Sequence, residues 1–250
     1  MKHVMLYRYL PALLTYGENS MNTRLQSTYD GASASLAIRH RVLRNTYWLL
    51  ALSMIPTVLG AWLGVQMKFT FFAGSPMIGF MVFLAIAFGF FYAIEKTKHS
   101  AAGVAVLLGF TFFMGLMLSR LIGHTLGYSN GGTLVMTAFG GTAAIFGVMA
   151  TVATVSKRDF SGMGKWLFAG VLVILAAAVL NIFLQLPALY LAVSVLAIGI
   201  FSAYILYDVQ QVINGGETNY ISATLAIYLD LYNVFANLLS LLGFLGGERD

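Results

Sequence analysis

Seven long apolar runs, separated by short polar stretches, dominate the chain from residue 45 onward. They fall at about 45–66, 76–95, 101–121, 132–155, 165–185, 188–213 and 221–245. Each is close to the ~20 residues an α-helix needs to cross a hydrocarbon layer. Pro76, after Ser75, and Pro187 stand at the starts of the second and sixth runs, where the first helical position tolerates proline. Pro56 lies inside the first run, where a kink is expected and membrane helices accommodate one. The pattern predicts an all-α membrane protein with seven transmembrane helices. Residues 1–40 read as a polar N-terminal tail and 41–250 as the transmembrane domain. The apolar stretch at 9–14 is short and broken by Pro11, which argues against a signal peptide. The polar segment after Met21 has the character of an ordinary tail, and Met21 is expected to be the natural start.

Composition strengthens the membrane reading. Apolar residues make up 59% of the chain and charged residues 9%, with a mean hydropathy of +0.83, whereas soluble domains are about 25% charged. There is no cysteine, which excludes disulfides, thiolate metal sites and cysteine nucleophiles. His3, His40, His99 and His124 have no metal-ligand spacing. Neither a cofactor nor a dedicated metal site is expected, and no nucleophile–base spacing suggests an enzyme. The net charge of +5 does not point to nucleic acid, because the bases lie in loops and the tail. Lipid is the surrounding medium.

Those bases set the expected orientation. The tail, the second-to-third loop and the fourth-to-fifth region together hold eleven Lys and Arg; the opposite side holds Lys68, Arg120 and Arg249. The positive-inside rule then puts the N-terminus in the cytoplasm and the C-terminus on the far side.

Of nine acidic residues, only Asp208 and Asp230 fall well inside apolar runs. They flank the turn Asn214-Gly215-Gly216, one on each arm of a helical hairpin. Acidic groups at membrane depth are costly and are read as functional by default. At ~1.5 Å per residue they lie roughly 9 Å and 15 Å from the loop, so the carboxyl groups can meet. Two close carboxylates in a low-dielectric site cannot both ionise cheaply. The pair is either a shared-proton gate or a permanently protonated structural contact. Tyr204, Gln211, Asn233 and Asn237 are the polar residues expected to support it. Asp230, Asn233 and Asn237 recur at helical spacing, a stripe that neighbouring helices are expected to satisfy. Calcium takes roughly 6–8 oxygen ligands, so two aspartates make at most a weak waypoint. Neither aspartate sits in the Gly-x-Gly-Asp setting of an intramembrane protease. Gly60-Ala-Trp-Leu-Gly64 has the spacing for close helix approach, expected to serve internal packing. Phe71, Phe72, Phe88, Phe90, Phe91, Phe112 and Phe113 read as core or lipid-facing side chains.

Tyr204-Ile-Leu-Tyr-Asp208 and Tyr228-Leu-Asp-Leu-Tyr-Asn233 resemble the Bax inhibitor family of multi-pass membrane proteins. His40-Arg-Val-Leu-Arg-Asn-Thr-Tyr47, Lys157-Arg-Asp-Phe-Ser161, Asn181-Ile-Phe-Leu-Gln-Leu-Pro187 and Gly215-Gly-Glu-Thr-Asn-Tyr220 look like its YccA-like bacterial branch. The resemblance covers about residues 40–250. It implies seven helices, six surrounding a central C-terminal one, in a bacterial inner membrane. It further implies that Asp208 and Asp230 form a proton-sensing pair. Some relatives pair these aspartates with an arginine near the end of the second span. Here Thr97 stands in that place, so a basic partner would be Lys96 or Lys98. Two functions follow from the resemblance: a pH-sensitive calcium or cation leak gated by the pair, or modulation of the membrane ATP-dependent protease FtsH.

Overall fold

A computed structural model describes residues 38–69 and 76–247. Met21, Phe71, Phe72 and Ser75 lie outside them. Seven long helices account for most of this: α1 (Ile38–Gln66), α2 (Pro76–Thr97), α3 (Ala101–Leu126), α4 (Gly131–Val155), α5 (Gly164–Leu184), α6 (Pro187–Asn214) and α7 (Tyr220–Gly246). A short 3₁₀ turn, Ser161–Met163, precedes α5. No strand occurs among the described residues. All seven helices are long and apolar enough to span a bilayer. The chain divides into Met1–Arg41 and Val42–Asp250; the described part of the first unit is the opening turn of α1.

The helices match the predicted runs closely, with two extensions. α1 begins at Ile38 rather than 45, and α3 continues to Leu126 rather than 121. Apolar runs mark the stretch suited to hydrocarbon, while the backbone ladder carries on beyond them, through Arg44 in α1 and His124 in α3. Pro76 and Pro187 open α2 and α6 as predicted. α1 runs unbroken through Pro56. On either side of it, Ser53 and Thr57 donate to the carbonyls of Leu49 and Ser53, both at 2.8 Å.

α7 is the hub. It packs against α2, α3, α4 and α6. It reaches α1 through Thr224, whose hydroxyl donates to Thr46 O at 3.3 Å, and through Tyr228. α5 stands outside this ring and packs on α6. Five helices therefore contact the C-terminal helix directly, and the sixth is attached by way of α6. The core fills with Leu107, Phe110, Ile205, Val209, Ile221, Ile227 and Val234, all fully enclosed. Phe110 of α3 meets Phe90 and Phe91 of α2 and Tyr228 of α7, with ring centroids 5.5–6.3 Å apart. That places Phe90 and Phe91 at the core, while Phe88 is exposed.

α1 and α3 cross at backbone contact. A Cβ on Gly60 would strike Phe112 O, and one on Gly115 would strike Thr57 O. The Gly60–Gly64 spacing therefore serves packing inside the protein, as predicted.

Candidate functional site

The α6–α7 hairpin is shaped by local chemistry. Gly215 ends α6 in the left-handed region, φ 81°, a conformation glycine adopts without steric cost. The N–H groups of Gly215 and Gly216 donate to Val212 O (3.2 Å) and Gln211 O (2.8 Å), closing the helix end. Asn219 then caps α7: its Oδ1 accepts from Ile221 N at 2.9 Å and Ser222 N at 3.1 Å.

Two other turns are fastened to this hairpin. Asn219 Nδ2 donates to Lys98 O at 2.8 Å, tying it to the α2–α3 turn. Gln210, buried on α6, donates through Nε2 to Arg158 O (2.7 Å) and accepts from Phe160 N (2.6 Å). That holds the α4–α5 connection. The three turns therefore share one end of the bundle. At the other end, Asn130 Nδ2 donates to Gly246 O at 2.6 Å.

Between the hairpin arms, the carboxyl groups of Asp208 and Asp230 lie within hydrogen-bonding reach of each other. Their depths measured along each helix differ by about 6 Å, so the five residues 215–219 let the two helix ends stand at different levels. Asp230 is 5% exposed. Among the described residues, no donor reaches its Oδ2. Asp208 is half-buried and lines a pocket of about 250 Å³ together with Tyr207, Gln211, Glu217 and Ser222. Ionised carboxylates only accept hydrogen bonds. Contact between Asp208 and Asp230 is thus a hydrogen bond only while one of them carries a proton.

The surroundings differ from expectation in two respects. Lys98 Nζ, just past the end of α2, is 2.6 Å from Glu95 Oε1, three residues back. Lys96 Nζ lies 5.5 Å from the ring centre of Tyr92. Both lysines are engaged on α2, the first by ion pairing and the second by a cation–π contact, and neither pairs with the aspartates. The Asn233 and Asn237 amides donate to Leu229 O and Asn233 O, both at 2.8 Å. Their own helix, rather than its neighbours, serves these donors, because an i−4 carbonyl is always within reach of a short amide. Tyr204 is within electrostatic reach of both carboxyl groups. Gln211 folds over the loop, where its Oε1 occupies the space a Gly216 side chain would need. Among the described residues, no group of three or more His, Cys, Asp or Glu is arranged to hold a metal.

Two features escaped the sequence reading. Gln210 looked like any polar residue near a helix end, and only its partners 50 and 52 residues away reveal its work. Glu217 lies in a loop, so its acidity raised no alarm, yet it shares the pocket with Asp208. The sequence GGETNY itself, an acid beside the turn glycines, was the available signal.

The family model described as Inhibitor of apoptosis-promoting Bax1 matches residues 39–247. The chain belongs to that family. The Escherichia coli K12 protein called Modulator of FtsH protease YccA is 38% identical over 224 residues, covering 90% of this chain and 98% of that protein. A second Escherichia coli relative, called Inner membrane protein YccA, matches equally. An uncharacterised Neisseria meningitidis protein is 38% identical over 222 residues, covering 88% of this chain and 97% of its own. This Bax inhibitor family member is thus a multi-helix membrane protein with YccA relatives, and its paired aspartates sit in the hairpin that carries the family-like sequence.

Proposed function

We propose that the protein is a pH-sensitive cation leak gated by Asp208 and Asp230. The observation that carries this reading is the acceptor-to-acceptor contact of two carboxyl groups at membrane depth, one buried and one facing a polar pocket. Sharing a proton, the pair bridges α6 and α7. Losing it leaves two adjacent negative charges in a poorly hydrated site, which favours separation or entry of water and a counter-ion. The sign follows: flux rises as pH rises through the titration of the pair. Calcium is the expected ion, held weakly in passing. The N-terminus lies in the cytoplasm and the C-terminus in the periplasm, by the asymmetry of Lys and Arg. The pocket then opens to the cytoplasm. Calcium flux into proteoliposomes across pH 6–8 tests the gate. Asp208→Asn and Asp230→Asn should each flatten the pH response; if both keep the wild-type response, the contact is structural.

A second reading, modulation of FtsH, is supported by the 38% identity to a protein that bears that description. It does not exclude the first. Co-purification with FtsH, and slower turnover after deletion of residues 21–35, are its expected outcomes. Unchanged turnover without co-purification would count against it.

A further inference from the structure

The pocket beside Asp208 has a second acidic wall. Glu217 lines it from the α6–α7 loop, and Asp208 lines it from α6. The Glu217 side chain is not a wandering surface group. Its Oε1 accepts from Asn219 N at 2.7 Å, and its own N–H donates to Gln211 O at 3.1 Å. Asn219 in turn caps α7 and is bound to Lys98 O. Glu217 is therefore held in the pocket lining by backbone contacts on both sides.

We propose that Glu217 sets the pH at which the Asp208–Asp230 pair gives up its shared proton. This rests on the pair holding that proton, as in the proposed gate, and adds a residue outside the pair. A negative charge fixed across a small pocket makes a second charge on Asp208 more costly. Glu217 and Asp208 line the same pocket. Among the described residues, no Lys, Arg or His forms a salt bridge with Asp208, Asp230 or Glu217. α6 contributes the phenols of Tyr204 and Tyr207, and α7 contributes Asp230. Lys98 and Lys96 are engaged with Glu95 and Tyr92. The α4–α5 connection meets α6 through the main chain of Arg158 and Phe160, with the Arg158 side chain exposed. Near this end of α1, Val42 packs beside Val212 and Ala223, and Arg44 is exposed.

Glutamine at 217 keeps an Oε1 to accept from Asn219 N while removing the charge, so Glu217→Gln isolates electrostatics from loop structure. Infrared spectroscopy of the full-length protein in lipid, titrated with pH, reads the carboxylic-acid C=O band that Asp208→Asn and Asp230→Asn each abolish. With Glu217→Gln the midpoint for loss of that band should move to lower pH by about half a unit, roughly threefold in proton concentration. Glu217→Asp should stay near wild type. Asn219→Ala, which frees the loop but leaves the charge, should move the midpoint much less. An unmoved midpoint in Glu217→Gln overturns the inference, as does an equal shift in Asn219→Ala. Absence of any band removed by both asparagine variants overturns it together with proton sharing. The gate itself fails separately, if calcium flux in the asparagine variants keeps its pH response while the Glu217→Gln band still shifts.

Discussion

The α1–α3 crossing allows a sharp test of how this bundle is held together. Gly115 presents its bare Cα to the backbone of α1. An alanine Cβ there would lie 2.9 Å from Thr57 C and 3.0 Å from Ala61 N, and closer still to Thr57 O. Carbon atoms in ordinary contact stand ~3.5–4.0 Å apart, and a radial gap of ~0.5–1 Å forfeits a quarter to a half of each dispersion contact. The obstacles are backbone atoms, so no rotamer change relieves the clash and the helices must part. Overpacking of this kind costs about 1–3 kcal/mol. Alanine's better helix propensity returns about 1 kcal/mol, leaving Gly115→Ala a net loss of up to about 2 kcal/mol. Gly140 of α4 is the control, because an added Cβ there meets nothing within 4 Å. Gly140→Ala should be neutral or stabilising by up to about 1 kcal/mol. SDS titration of the purified protein followed by circular dichroism measures both. Equal effects at the two positions would refute the claim that backbone contact, rather than helix propensity, governs the glycines of this bundle.

Other outcomes follow from contacts described above. Tyr228, 1% exposed, bonds Thr57 Oγ1 at 2.9 Å and donates to Thr111 O at 3.4 Å; Tyr228→Phe should cost about 0.5–1.5 kcal/mol in the same titration, and no loss would mean that neither bond contributes. Gln210→Leu removes both ties to the α4–α5 connection, so amide exchange over residues 156–164 should accelerate while that of α7 stays slow. Asp159 accepts from Ser161 N at 2.9 Å. That bond, with the Ser161 hydroxyl, holds its carboxyl below the usual carboxylate range. Its contribution is complete above the ordinary aspartate range and fades only as pH falls through the lowered value, so Asp159→Asn should leave any flux response across pH 6–8 unchanged.

Much of this molecule is legible in the sequence because a membrane simplifies the code. Hydrocarbon demands long uninterrupted apolar helices, so α2 and α4 could be delimited within a residue or two. The same medium makes a buried acid conspicuous, which is why Asp208 and Asp230 stood out. Rotation about the helix axis was not legible, and with it went the partners. Asn233 and Asn237 looked like bridges between helices, yet each folds back on its own carbonyl ladder. Lys96 and Lys98 had the right charge to reach the aspartates, but Tyr92 and Glu95 lie within one turn of them and engage them first. Gln210 and Glu217 were silent for the opposite reason: polar residues are ordinary at helix ends and in loops, so type alone carried no signal, and only distance in space gives them meaning.

The hub position of α7 has a consequence for how the protein is made. The helix that five others lean on is made after the other six. Until it arrives, Thr46 O, Thr57 and Thr111 O face a gap where Thr224 and Tyr228 will later stand. The six earlier helices can insert one by one, but the five that surround α7 then lack their centre. Closure follows the arrival of α7, which brings Asp230 to Asp208, already in place on α6. A chain cut short before Tyr220 loses the centre of the structure rather than its edge. In the membrane such a fragment keeps the α1–α3, α2–α3, α4–α6 and α5–α6 contacts but leaves uncovered the polar groups that α7 would meet, a surface a quality-control system can recognise.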